Sequence, residues 1–433
     1  MSTIVTRPEH AAAGAPPPAL PLRLALGTFT AVMRPAVLLV LSLLGVVPAL
    51  ADFQRTPLPF YHENASVPQI KELRDRYDFD EYVARGKTEL EQMFLLQDWV
   101  YTHVAYGGAP EFIDLRDSFA ILDMASRGEE FWCNNLAAVY LQCAVSLGWT
   151  ARYIFLRSPH GDAHVTNDIW SNELRKWIMI DATWNLHVER DGVPLSIAEV
   201  REEWNRKGMA GLDYIFGAGE HEQRYTVADM PIERTDSKLW HWWPVDESWI
   251  NFTHAVAYVM RNDFFAIENG NGGSIWSGIV TIRDSSNAND EFWEFRQKPG
   301  ARDMRSLYPD VNRVDLRLVP EVEPGAAEER SPLRLFRRTP PPAVRIRLDA
   351  FGPYNYTPNL AGFKVQVNGG AWRDSGAELD VVPQAGVNHV RARIVNAFGV
   401  LGPITDFDFA WKAGSDPVPL LPATEWGASA ALH

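Results

Sequence analysis

The feature that most constrains this chain is a change of hydrophobic period at Gly148. From Cys133 to Leu147, the residues Leu136, Tyr140, Cys143, Ala144 and Leu147 recur at helical spacing, and Gly148 is placed to end the helix. Beyond it the period drops to two. Ala151 to Leu156, His164 to Trp170 and Trp177 to Trp184 read as strands, the last two separated by the polar run Ser171-Asn172-Glu173-Leu174-Arg175-Lys176. A helix leading into antiparallel strands is an α+β arrangement. Upstream, Thr88-Glu89-Leu90-Glu91 has the form of a capping box, and Leu90, Met93, Phe94, Val100, Tyr101 and Val104 share a helical face that stops at Gly107-Gly108. Residues 195 to about 208 return to helical spacing.

The rest of the chain is strand-like, punctuated by Gly, Asn and Asp clusters. With 433 residues there is material for about two or three domains. We expect an α+β domain over 52–239, a β-rich middle domain over 240–319 and a Pro-, Glu- and Arg-rich linker over 320–342. A β-sandwich over 343–412 is expected to follow, and then a disordered tail over 413–433. Residues 1–51 read as a signal peptide or membrane anchor: Arg23 and Arg34 precede an uncharged, Leu- and Val-rich run from Pro35 to Ala51, with Ala49-Leu50-Ala51 as a cleavage motif. Either reading exports the remainder to the periplasm, the medium or the cell surface, and the anchor reading tethers it to a membrane through residues 35–51. The formal charge of −14 argues against binding nucleic acid or an anionic lipid surface, leaving protein, peptide or glycopeptide as the expected partner.

The chain has two cysteines, Cys133 and Cys143. Ten residues apart on one helix, they are separated by about 15 Å and cannot bridge. Cys143 sits in the apolar stripe and reads as a small buried hydrophobe. Cys133 opens the helix, where unpaired N–H groups stabilise a thiolate. Glu129 and Glu130 precede it; near the sulfur they would oppose its ionisation, whereas turned to solvent in the first turn they would suit the helix dipole.

A nucleophilic thiol needs an imidazole to exchange its proton and a carboxylate or amide to orient the imidazole. The strand pair supplies both. If the turn comprises residues 171–174, Trp170 faces Arg175 and His164 stands opposite Asp181; a two-residue slip makes them diagonal neighbours on the same face. Asp181 lies in an apolar strand, where an unpaired carboxylate is costly. The run His160-Gly161-Asp162-Ala163-His164 does not make a metal site, because extended residues four apart stand about 13 Å from each other. Asp284 to Glu291 reads as a β-connection rather than a calcium loop, so no metal is expected.

Cys on a helix start, His on a strand and Asp on the adjacent strand, in that order, resemble the transglutaminase-like superfamily. Trp132-Cys133-Asn134-Asn135-Leu136-Ala137 with Gly148-Trp149-Thr150-Ala151-Arg152-Tyr153 is similar to its nucleophile helix and following strand. His164-Val165-Thr166-Asn167-Asp168-Ile169-Trp170 is similar to its histidine block, and Trp177-Ile178-Met179-Ile180-Asp181-Ala182-Thr183-Trp184-Asn185 to its aspartate block. The resemblance covers about residues 90 to 190. It implies a papain-like α+β core with no obligatory cofactor, Cys133 as nucleophile, His164 as general base and then acid, and Asp181 as the orienting group. Val367-Asn368-Gly369-Gly370-Ala371-Trp372 and Gly386-Val387-Asn388-His389 resemble turns of fibronectin-type or immunoglobulin-like accessory modules. The expected function is an exported thiol enzyme acting on peptide or side-chain amides through a Cys133 thioester, with hydrolysis slightly ahead of transfer to an amine. The alternative is a non-catalytic cell-surface binding or structural protein that uses the papain-like core as a scaffold.

Overall fold

A computed structural model describes residues 61–63, 67–107, 115–157, 163–207, 211–226, 255–265, 279–283, 307–308, 311–319, 343–349 and 357–420. All of them belong to one unit, residues 54–433, distinct from residues 1–53. The sequence expectations for residues 1–51, the linker over 320–342, the Asp284–Glu291 connection and His160 to Asp162 fall outside the described residues. No helix among the described residues is long and apolar enough to cross a membrane.

Strand β1 (Tyr61–His62) is followed by α1 (Pro68–Arg76), α2 (Phe79–Val83) and α3 (Glu89–His103). The Thr88 hydroxyl caps α3 by accepting the Glu91 N–H at 3.2 Å, while the Glu91 carboxylate accepts the Lys87 N–H at 2.6 Å. These bonds satisfy donors that a helix start leaves unpaired. Every residue from Met93 to Val100 is buried, because α3 packs against α2 and against the cysteine helix at once. Tyr101, expected on the apolar face, is instead exposed together with Thr102 and His103. The last turn of α3 has left the core on that side.

Helix α4 (Ser118–Ala125) precedes α5 (Cys133–Ser146), which the sequence places from Cys133 to Leu147. Gly148, at φ +92°, takes the left-handed conformation that ends α5, and the Trp149 N–H returns to the Ala144 carbonyl at 3.0 Å. Then come β2 (Ala151–Arg157), β3 (Ala163–Ser171), β4 (Lys176–Ile180), β5 (Leu186–Arg190), β6 (Val193–Pro194), α6 (Ile197–Lys207), β7 (Asp213–Phe216) and β8 (Gln223–Tyr225). Three further strands, β9 (Ala255–Val259), β10 (Arg261–Asn262) and β11 (Ile279–Arg283), close this part of the chain.

The central sheet has the order β11-β9-β2-β3-β4 and is antiparallel throughout. One face, carrying Tyr153, Phe155, Val165, Ile169, Ile178 and Ile180, packs beneath the helices. The other, carrying Ile154, Leu156, Met179, Val256 and Tyr258, packs on α6 and on a second sheet of order β6-β5-β7-β8. A sheet covered on both faces needs nearly continuous apolar strands, which is how β4 reads. Within the second layer the Arg152 guanidinium pairs with Asp168 at 3.0 Å, both side chains buried.

The hairpin register and the middle domain both depart from the sequence expectation. The β3–β4 turn comprises residues 172–175, so Trp170 faces Trp177 rather than Arg175, two residues from the counted register. The cause is tertiary: the Glu89 carboxylate at the start of α3 accepts the Ser171 hydroxyl at 3.2 Å, the Asn172 amide at 2.6 Å and the Glu173 N–H at 2.9 Å, and Arg175 closes the loop at φ +52°. The strands assigned to a separate middle domain are divided instead. β9 and β11 extend the central sheet, and β10 pairs with β1.

The remaining strands are β12 (Asp315–Leu318), β13 (Val344–Asp349), β14 (Leu360–Val367), β15 (Arg373–Ser375), β16 (Glu378–Val381), β17 (Gly386–Asn396), β18 (Thr405–Trp411) and β19 (Val418–Pro419). Sheets β12-β13-β16 and β15-β14-β17-β18-β19 enclose one apolar core built on Ile346, Val365, Val390, Ile394 and Phe409. β12, counted with the middle domain, thus belongs here, and β19 pairs with β18 inside the segment expected to be a disordered tail. Unpaired edge groups of β18 are satisfied by that pairing. The whole is α+β with β-rich parts.

Candidate active site

Helix α5 sets the thiol in place. Phe131, fully buried, pairs with the segment after α3: its N–H donates to the Ala105 carbonyl at 2.9 Å and its carbonyl accepts the Gly107 N–H at 2.8 Å. The chain then turns at Trp132, whose N–H is accepted by the Asn135 side chain at 3.1 Å, and Cys133 begins the helix half-buried. The Asn135 amide also reaches the Leu115 carbonyl at 2.7 Å. Cys143, a full ten residues on, is buried in the core with its thiol pushed far up by burial. It stays an uncharged hydrophobe.

Glu129 and Glu130 precede the helix and are exposed, with no acidic residue in the first turn of α5. The Glu130 side chain lies over Gly107, at φ +155°, where a Cβ would collide with its carboxylate. The exposed Glu130 carboxylate could swing aside, but the backbone at this φ strains any side chain, which favours glycine at 107.

His164 is the second residue of β3 and Asp181 the residue after β4. In the observed register they are diagonal neighbours, the slipped alternative of the sequence reading, and the His164 Nε2 donates to Asp181 Oδ2 at 2.6 Å. Both are buried. The other Asp181 oxygen accepts the N–H groups of Thr183 and Trp184 at 3.0 and 3.3 Å, so the carboxylate is held by its own loop. With Nε2 on Asp181, Nδ1 is the nitrogen left to face Cys133, which acts on the imidazole electrostatically. Burial alone would push the imidazole towards the neutral form, but Asp181 and then Cys133 outweigh it and raise its pKa to about 10. These neighbours favour the charged form of this histidine.

The β3 strand is itself locked to α5. Asn167, buried, donates to the Ala137 carbonyl of α5 at 3.1 Å, and the Thr166 hydroxyl donates to the Ile180 carbonyl of β4 at 2.7 Å. The structure thus brings Cys133, His164 and Asp181 together.

Two further side chains belong to the site and escaped the sequence reading. The Trp184 indole stacks on the His164 ring, centroids 3.9 Å apart and planes 17° from parallel. Tyr106, bridged to Phe131, is 38% exposed, and burial followed by the charges of Cys133 and Asp181 raises its phenol to about 12. It remains a hydrogen-bond donor. Trp184 could have been suspected from its place three residues after Asp181; Tyr106 gave only its position beside the glycines that end the α3 pattern. Among the described residues, no group of three or more His, Cys, Asp or Glu side chains is arranged to hold a metal ion.

No protein-family profile matches the chain, and no curated protein matches it. One solved structure among those that match is described as a candidate cysteine protease from Cytophaga hutchinsonii, at 16% identity and a TM-score of 0.23. The match covers 42% of this chain and 58% of the other, so the chain spans less than two thirds of that structure. A likeness this slight carries no conclusion, and the site is read from its own geometry.

Proposed function

We propose that the chain is a transglutaminase-like, cysteine-dependent acyl-transfer enzyme with a papain-like core, acting on amides of a protein, peptide or glycopeptide. What supports this reading is the buried His164 imidazole bonded to Asp181 at 2.6 Å and under the electrostatic influence of Cys133. An imidazole held by a carboxylate beside a thiol at a helix start can take the thiol proton and so favours the attacking thiolate. His164 holds that proton as the sulfur attacks, and acts on the amide first as acid.

In the reaction, the Cys133 sulfur attacks the amide carbon and the carbonyl oxygen becomes an oxyanion. The backbone N–H of Cys133, at a helix position with no intrahelical acceptor, is the donor best placed for it. As the C–N bond breaks, His164 passes its proton to the leaving amine and a thioester remains. Water, or an amine, then gives a proton to His164 as it attacks the thioester, and the thiolate leaves. Asp181 holds the imidazole in one orientation and offsets its charge throughout. Water requires only access, so hydrolysis stands slightly ahead of transfer.

The test is to incubate the protein with peptide amides, with and without dansylcadaverine, beside Cys133→Ala. Peptide or ammonia release that needs Cys133 supports hydrolysis, and dansyl incorporation that needs Cys133 supports transfer. Neither product across a broad peptide set contradicts the reading.

A further inference from the structure

The loop after Asp181 is held from a direction that the chemistry does not require. Asp181 and Leu186 exchange backbone hydrogen bonds at 2.8 and 2.9 Å, closing Ala182 to Asn185 into a tight loop with Asn185 at φ +51°. That loop carries both things that grip His164: the Asp181 carboxylate, tied to the Thr183 and Trp184 N–H groups, and the stacked Trp184 ring. Its far corner is clamped to α3. The Asn185 amide donates to Asp98 Oδ1 at 2.6 Å, its oxygen accepts the Gln97 amide at 3.0 Å, and the second Asp98 oxygen accepts the Tyr82 hydroxyl from α2. Asp98 and Gln97 lie mid-helix on α3, both buried.

Polar side chains in the middle of a packed helix cost stability unless they are hydrogen-bonded, so their partners say what they are for. Here Asp98 Oδ1 and the Gln97 amide both meet Asn185, while Asp98 Oδ2 takes the Tyr82 hydroxyl and fixes the carboxylate. We propose that Asp98, acting through Asn185, is a positioning residue that fixes the 182–185 loop so that Asp181 and Trp184 hold the His164 imidazole against Cys133. This inference rests on the Cys133–His164–Asp181 reading of the site. α3 thereby sets the orientation of a histidine on a strand it does not neighbour in sequence.

The experiment follows iodoacetamide labelling of Cys133 at pH 6 and the low-field proton resonance of the His164–Asp181 hydrogen bond in the full chain. The variants are Asn185→Gly, Asp98→Ala and Asp98→Asn. Asn185→Gly keeps the left-handed backbone and removes only the clamp. Asn185→Gly and Asp98→Ala are expected to melt cooperatively, to label on the order of 10-fold more slowly, and to lose or broaden the low-field resonance. Asp98→Asn, which still accepts from Asn185 and reaches Tyr82, should keep both near wild type. Folded variants that label at the wild-type rate with the resonance intact would overturn the proposal. If Asp98→Ala does not fold, Asn185→Gly decides. If His164→Ala itself labels as wild type, the reading of the thiol site fails, and the resonance alone then decides the positioning role.

Discussion

His164 is where the site's electrostatics are concentrated. Its folded-state pKa, raised from 6.5 to about 10, means that the folded protein holds a proton the unfolded chain releases. The stabilisation is complete below pH 6.5 and is lost as pH rises through about 10. Melting temperature should therefore fall between pH 7 and 10 in the wild type and fall less in His164→Gln, measured by thermal denaturation in matched buffers. A parallel fall in both would place the effect elsewhere. His62 has the opposite sign: burial, then the Arg152 charge, lowers it to about 4, so its neutral form is favoured in the fold and stability drops as pH falls from 6.5 towards 4. His62→Gln should flatten that acid limb in the same melts.

At the scale of elements, helix α5 depends on both its ends. Asn135→Ala removes the acceptor for the Trp132 N–H and the donor to Leu115, and should cost about 1–2 kcal/mol in urea unfolding. Gly148→Ala puts a Cβ at φ +92°, 3.4 Å from the Phe398 ring, and should cost about 1 kcal/mol or more in the same assay. Helix α5 and strands β2 and β3 are legible from period alone, since one buried face repeats locally, whereas β4, expected to reach Trp184, ends at Ile180 where the Asp181–Leu186 pairing closes a loop. The β3–β4 register was not legible, because the Glu89 contact that shifts the turn comes from α3, over eighty residues away in the chain. Likewise β9 shows strand spacing in the sequence, but nothing local says that it pairs with β2. Cys133, His164 and Asp181 could be singled out by residue type and order. Asp98 and Asn185 could not, as a buried Asp on a helix reads as a surface residue until the loop that it holds is known.

For the described molecule as a whole, the two C-terminal sheets are docked on the far end of α5. The Asn359 amide donates to the Gly148 carbonyl at 2.7 Å, Phe398 stacks on Trp149, and the Asn396 amide reaches Asn172 in the β3–β4 turn at 2.9 Å. Two of these contacts meet α5 where it ends and one meets the hairpin that carries His164. Phe398→Ala should increase hydrogen exchange in residues 146–150 and in the 171–176 turn while leaving the sandwich core protected. Exchange unchanged in both segments would mean that the docking face contributes nothing to their order.

The central claim is that His164 makes Cys133 a reactive thiol. The direct measurement is the rate of iodoacetamide labelling of Cys133 against pH, in the wild type and in His164→Ala. The imidazolium pair predicts labelling that persists well below the ordinary thiol range of about 8.5 and disappears there in His164→Ala. A single ordinary thiol profile, the same in both proteins, would contradict it.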